Sequence, residues 1–199
     1  MKISVITPTW QRHRLLLERC IPSVATQTYL DLEHIVCSDG PDRTLRGLIV
    51  EAPVTYVECK HHDEHPANFG SRARNRAIEA STGDLVAYLD DDNAWRPEHL
   101  ALLAKALGDH PDADFAYSKL VTHPQSTVIG SDPPRYGGID TSVIVHRRAL
   151  LDKARWPKPV QITGDKHAPD WAIVASWLAA GTRWVHVPAI TVDYHYAGS

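Results

Sequence analysis

The run Leu85-Val86-Ala87-Tyr88-Leu89 passes straight into Asp90-Asp91-Asp92-Asn93, and this junction constrains the chain more than any other stretch. Apolar residues of this kind, a Val and a Tyr among Leu, read as a buried strand. A strand ending in consecutive carboxylates needs positive charge at its mouth, because like charges in contact repel. Hard carboxylate oxygens suit Mg²⁺ or Mn²⁺, and such an ion can in turn hold a diphosphate. The competing reading is an acidic, solvated turn leading into the next helix. The remainder of the chain bears on that choice.

The first half alternates strand and helix signals. Residues 2–7 read as a strand stopped by Pro8, and 12–25 as a helix broken by Pro22, with Leu15, Leu16, Cys20 and Val24 at helical spacing. Residues 32–38 and 54–59 read as strands. A helix is expected over 70–81, closed by Thr82-Gly83, then the strand from Leu85, then a helix from about Pro97, since proline suits a first turn. Repeated β-α-β units imply a largely parallel sheet with helices on its faces. Ligands of such sheets bind at the carboxyl ends of the strands. Thr7-Pro8-Thr9, Asp39-Gly40 and Asp90 to Asn93 each follow a strand, so all three fall on one edge. Acidic residues at two of those ends point to a site.

The second half is less regular. Residues 114–122 and 142–146 read as strands flanking the turn-rich stretch Ser131-Asp132-Pro133-Pro134-Arg135-Tyr136-Gly137-Gly138, expected to form a mobile functional loop. A helix is expected over 169–180, stopped by Gly181, and a last strand over 182–192. At 199 residues, with 43% hydrophobic and 23% charged residues, the chain reads as one globular domain. A net charge of −3, with Lys and Arg scattered apart from Arg72, Arg74 and Arg76, gives little support to broad nucleic-acid binding. The apolar start Ile3 to Ile6 is cut by Thr7-Pro8, too short for a signal peptide or membrane span. Cys20, Cys37 and Cys59 lack metal-ligand spacing and read as buried thiols, so a cytoplasmic location is expected.

Taken together, the motifs resemble those of the inverting family 2 glycosyltransferases. Val5-Ile6-Thr7-Pro8-Thr9 is similar to the family's opening strand and nucleotide loop, and Ile35-Val36-Cys37-Ser38-Asp39-Gly40-Pro41-Asp42 to its second motif. Asn68-Phe69-Gly70 with Arg74-Asn75, and Leu89 to Asn93, are similar to its N-x-G…R-N and L-D-x-D-D elements. The resemblance spans nearly the whole chain. It implies a GT-A fold, α/β and Rossmann-like, with a mixed, mostly parallel central sheet flanked by helices. It also implies a single domain over 1–199, with a nucleotide-sugar half (1–95) and an acceptor-side half (96–199).

The resemblance further implies transfer of a sugar from a nucleoside-diphosphate donor, with UDP the expected carrier, using Mn²⁺ or Mg²⁺. Asp39 would accept a hydrogen bond from the base imide N–H, a role suited to an acceptor-only carboxylate. Pro8 and Thr9 would shape the base pocket. Asp92 would ligate the metal, with Asp90 on the donor ribose or the ion's water shell and Asp91 facing solvent or the donor sugar. Arg74 would bind donor oxygens or brace the acidic loop, whereas Arg72 and Arg76 read equally well as a solvated helix face. Asp170 is the candidate general base. Pro169 stands where the family carries a glutamate before it, and Asp165 is the reserve. His195, in Tyr194-His195-Tyr196, is a second metal-ligand candidate.

Trp95, Trp156 and Trp171 could stack on a sugar or fill the core. The run His61-His62-Asp63-Glu64-His65 invites a zinc reading, but Pro66 and the lack of an apolar period point to a polar loop. A nucleotide-sugar-binding module without turnover and a metal-dependent hydrolase are the alternatives. A dinucleotide-dependent oxidoreductase is disfavoured, since no G-x-G-x-x-G follows an early strand. The acceptor is open: saccharide, lipid, protein, small molecule or modified nucleic-acid base.

Overall fold

The structure of the protein, a computed structural model, describes residues 1–62, 70–157 and 169–196. Strands β1 (Ile3–Thr9), β2 (Leu32–Ser38), β3 (Thr55–Glu58) and β4 (Leu85–Tyr88) form a parallel group in the spatial order β3-β2-β1-β4. The sheet continues with β5 (Ala94–Trp95), β6 (Phe115–His123), β7 (Val128–Ile129), β8 (Ile144–Arg147) and β9 (Trp184–His195). It is a mixed, nine-stranded sheet ordered β3-β2-β1-β4-β8-β6-β9-β5, with β7 paired to β6. Strand β8 runs antiparallel to β4 and β6, and β9 runs parallel to β6. Every residue of β1 and β4 is buried, as expected for central strands covered on both faces.

The first helical segment runs from α1 (His13–Leu15) through a π-helical stretch, Leu16–Cys20, into α2 (Ile21–Ala25). Pro22 does not break it. Its ring would crowd the carbonyl of Glu18 in a regular α-helix, and the wider π turn lies just before it. Pro8, expected to stop β1, also lies within a regular element. The Ile6 carbonyl accepts from Leu89 on the β4 side and the Thr9 carbonyl from Asp39 on the β2 side. By alternation Pro8 faces the β4 side, where β1–β4 pairing ends at Ile6, so its missing N–H deprives no partner.

Helix α3 (Arg43–Leu48) was not legible as a periodic segment, having one buried residue, Leu45; it is started by Asp42, whose carboxylate accepts from the Leu45 N–H at 2.9 Å. Helix α4 (Ser71–Ala80) lays Ala73, Ala77 and Ile78 into the core against β1, β2 and β3. Helix α5 (His99–Asp109) packs on β6, β8 and β9. A 3-10 turn (Thr141–Val143) leads into β8, followed by α6 (Leu150–Lys153) and α7 (Pro169–Ala179).

Three histidines are core groups. His34 meets the Thr7 hydroxyl at 2.9 Å, His99 that of Thr191 at 2.7 Å, and His146 that of Tyr88 at 2.9 Å. Burial pushes their imidazoles down, to about 3, 3 and 4, so they sit neutral and satisfy buried hydroxyls. The three cysteines are free and buried. Among the described residues, no helix is long and apolar enough to cross a membrane.

Two glycines test the packing. A Cβ on Gly83 would lie 2.7 Å from the Lys2 carbonyl and 2.7 Å from the Ser4 nitrogen, both backbone atoms at the start of the sheet. A Cβ on Gly47, in α3, meets nothing within 4 Å. Gly83→Ala is therefore expected to cost about 1–3 kcal/mol through overcrowding, and Gly47→Ala to gain about 0.5–1 kcal/mol. Urea unfolding of both variants checks the pair; equal midpoints would contradict it.

Candidate active site

The three strand ends predicted to share an edge are tied together by one residue. The Thr9 carbonyl accepts from the Asp39 N–H at 2.9 Å, and its hydroxyl donates to Asp91 Oδ2 at 2.7 Å. The end of β1 thus links the carboxylate after β2 to the acidic run after β4. Pro8 lies just inside, against Gly70, where a Cβ would meet Pro8 Cβ at 3.1 Å and where φ of +76° suits glycine.

The positive charge that the acidic run requires comes from arginines. Asp90 pairs with Arg74, a buried side chain on α4. Asp91 pairs with Arg12 Nη1 at 3.0 Å, and Nη2 of the same guanidinium pairs with Asp92. Arg19, on the π-helical stretch, donates to the Asp92 carbonyl at 2.6 Å. Of the two expectations for Asp91, solvent or the donor sugar, the first is not met: the residue is 3% exposed and clamped by Thr9 and Arg12. Burial pushes its carboxyl up to about 7, with Arg12 and Thr9 opposing and Asp92 and Asp90 adding. Asn93 is buried and accepts from the His195 N–H at 2.8 Å, fastening the end of β9 to the acidic loop. The His195 ring lies face to face with His123, centroids 4.8 Å apart.

A divalent ion fits this donor set only as a partner of bound ligand. Among the described residues, no three His, Cys, Asp or Glu groups converge into a ready-made cage. Asp92 already holds one cation, the Arg12 guanidinium, whose side chain is 36% exposed and can swing toward solvent. An ion held by one or two carboxylates would complete its shell from phosphate oxygens and water, as Mg²⁺ commonly does.

At the other end, Asp39 is buried, and among the described residues Arg72 and His62 are its side-chain partners. Arg72 donates to its Oδ1 through Nη2 at 2.9 Å and Nε at 3.2 Å, so this arginine belongs to the site and not to a solvated face. Arg76, by contrast, pairs with Glu79 in an exposed i,i+3 contact. The His62 imidazole lies beside Asp39 and stacks on Trp10, centroids 4.2 Å apart and planes 4° from parallel. Trp10 was missed in the sequence, although an aromatic directly after Pro8-Thr9 at a strand end was a usable signal. Residues 63–69 and 158–168, with Asn68, Phe69 and Asp165 among them, lie outside the described residues, as do 197–199.

A second acidic group faces Arg74. Asp170 opens α7, and burial pushes its carboxyl up to about 7, with the charge of Asp140 adding and Arg74 opposing. Asp140, also missed in the sequence, caps the 3-10 turn by accepting from the Ser142 N–H at 2.8 Å. Its carboxyl is pushed up to about 6, by burial first and by Asp90 second. Arg74 feels Asp90, Asp170 and Asp140 together and stays charged. Its guanidinium carbon sits 4.4 Å from the Trp156 ring centre, and Asn75 donates to the Trp156 carbonyl at 3.0 Å. Trp156 is thus the wall behind Arg74, and Trp95 is core, donating to the Ser142 carbonyl at 2.7 Å. Trp171 meets Tyr136 edge-on at 6.5 Å, which brings the 131–138 stretch to the residue after Asp170. That stretch is pinned at its base, where the Ser131 N–H donates to the Gly138 carbonyl at 3.0 Å and the Tyr117 hydroxyl to the Ser131 carbonyl at 2.8 Å.

Comparison with known proteins bears on the same residues. The sequence profile of glycosyl transferase family 2 matches residues 4–164. The glycosyltransferase YibD of Escherichia coli K12 is 37% identical over 164 residues, covering 78% of this chain and 45% of its own length. YwdF of Bacillus subtilis is 29% identical, over 59% of this chain and 41% of its own. The chain spans less than half the length of both relatives. Among solved structures, S. aureus TarS 1-349 in complex with UDP-GlcNAc aligns with a TM-score of 0.79 at 19% identity, covering 100% of this chain and 60% of that one. A mannosyltransferase of Pyrobaculum calidifontis, PcManGT, in complex with GDP-Man and Mn²⁺ aligns at 0.70 and 20% identity, covering 99% and 57%. The fold is accordingly that of the GT-A glycosyltransferases. With its opening strand, acidic loop and arginine-bearing helix all inside the matched span, the chain belongs to glycosyl transferase family 2.

Proposed function

We propose that the protein transfers a sugar from a UDP-linked donor to an acceptor hydroxyl, with inversion at the anomeric carbon. The observation that carries this reading is the Thr9 bridge, which sets a base-reading carboxylate, Asp39, and an acidic loop, Asp90 to Asp92, side by side on one sheet edge. That spacing suits a nucleotide lying across the strand ends, as expected for an open α/β sheet. Residues 1–95 form the donor side and 96–199 the acceptor side. TarS was solved with UDP-GlcNAc and PcManGT with GDP-Man and Mn²⁺, which supports a nucleotide-sugar donor and a divalent ion.

Asp39 accepts the imide N–H of the base, with Trp10 as its stacking face and Pro8 and Thr9 as its floor. Asp90, steadied by Arg74, faces the donor ribose, and Asp91 holds Arg12 beside the diphosphate. Asp92, with His195 as the further candidate, holds Mn²⁺ or Mg²⁺. When bound, the ion supplies charge neutralisation for the departing diphosphate. Asp170 takes the proton of the acceptor hydroxyl while that oxygen bonds to the anomeric carbon. The bond from this carbon to the phosphate oxygen breaks, and UDP leaves with the electron pair.

These roles can be tested by substitution. Asp170→Asn should lower kcat by about 10²–10⁴-fold while leaving the UDP Kd nearly unchanged; lost UDP affinity with turnover intact would place the base elsewhere. The base works deprotonated, so kcat should fall as pH drops through about 7. Asp140→Asn removes a charge that raises this group, and should move the acid limb to lower pH. The sign for stability is opposite in sense. A carboxyl raised on folding costs stability above its folded value and nothing below its unfolded one, so Asp170→Asn should raise Tm at pH 8 but not at pH 4.

The other prediction concerns the acidic loop. Asp92→Ala should abolish the Mn²⁺-dependent part of UDP affinity in calorimetry. If the unaltered protein binds UDP equally well in EDTA, the ion has no part in holding the donor.

A further inference from the structure

The base end of the site is filled by the chain itself. His62 lies flat on Trp10 at a centroid distance of 4.2 Å, with the planes 4° apart. Its Nδ1 sits 3.1 Å from Asp39 Oδ2 and 3.0 Å from the Asp39 carbonyl, so a ring N–H at this atom serves both acceptors. A planar heterocycle that stacks on an aromatic face and presents a ring N–H to a buried carboxylate does what a uracil imide would do there. The packing is built for this closeness. At Gly40, φ is +146°, and a Cβ would lie 2.7 Å from the Trp10 ring and 2.9 Å from the His62 backbone nitrogen. Arg72 spans the same contact, donating to Asp39 and to the carbonyl of His61.

We infer that the His62 imidazole is an internal stand-in for the nucleotide base, occupying the Trp10–Asp39 slot and leaving it when the donor binds. This rests on the donor reading above. A base cannot slip between the two rings, because stacking on both would need about twice the ~3.5–4 Å carbon contact distance. Displacement is feasible because the His62 side chain is 31% exposed and faces solvent on one side. Since only the vacated slot binds nucleotide, the apparent affinity is the intrinsic one reduced by the vacated fraction. His62 thereby sets donor affinity without touching the donor.

The test is calorimetry of His62→Ala against the unaltered protein, with UDP, uridine and inorganic pyrophosphate as probes in Mn²⁺. The inference expects UDP and uridine to bind about 3- to 10-fold more tightly to the variant, the range set by the loss of one stacked pair. Pyrophosphate, which has no base, should bind equally to both. His62→Phe keeps the stack without the N–H and should fall between the two. Unchanged or weaker uridine binding by His62→Ala overturns the inference, the weaker case meaning that His62 moves to contact the base. If neither protein binds UDP, the donor reading falls and takes this inference with it.

Discussion

Three carboxylates at the mouth of a single strand hold together only with positive charge between them, and the rest of the site is arranged to supply it. Arg74 on Asp90, Arg12 on Asp91 and Asp92, and Arg19 on the Asp92 carbonyl each come from a different part of the chain. Arg12 follows β1 directly, Arg19 sits on the widened helical stretch after it, and Arg74 rises from α4. The acidic loop therefore fixes how the first helix and α4 must lie against the sheet. Charge-assisted pairs of this kind are strong only when both partners are held in place. Trp156 under Arg74 and Thr9 under Asp91 provide that holding.

Much of this was legible in the sequence where a pattern was local. The apolar run before Asp90 gave β4, the order of β-α-β units gave the parallel half, and strand ends gave the shared edge of Thr9, Asp39 and the acidic loop. The second half resisted because its logic is non-local. Strand β9 lies parallel to β6 with shifts in register, and its far end is fastened by Asn93. Asp140 went unread because nothing within a few residues distinguishes it from a capping aspartate, which it also is. Arg72 and Arg76 looked alike on the helix, and only the position of Asp39 across the sheet edge separates them. Adjacent aspartates demand a cation, for which a metal was expected; Arg12 meets part of that demand from within the chain.

The site is in this sense self-satisfied at both ends. Arg12 stands on the carboxylates proposed for the cation, and His62 and Arg72 stand on the carboxylate proposed for the base. Buried charge left without a partner is costly, so a site lined by Asp39, Asp91 and Asp92 must find internal partners whenever it is vacant. Those partners are partly exposed, whereas Arg74, with its guanidinium enclosed, is not. The partly exposed pairs thus line the surface proposed for the donor, and the enclosed pair lies behind it.

That division makes Arg74 different in kind from the other arginines. One guanidinium answers Asp90 on the proposed donor side and Asp140 and Asp170 on the proposed acceptor side, so it joins these carboxylates electrostatically. Asp140 and Asp170 are both raised already, and Arg74 opposes the rise at both, beside Ser142 at Asp140 and Thr141 at Asp170. Its removal would leave like charges facing each other across a poorly hydrated space, and those carboxyls would take up protons instead of remaining ionised. A proposed base that binds its proton more tightly is less available at neutral pH. Loss of Arg74 would thus blunt the acceptor side even if every donor contact survived, so its effect cannot be assigned to donor binding alone. The guanidinium that secures Asp90 also restrains the rise that burial and Asp140 impose on Asp170.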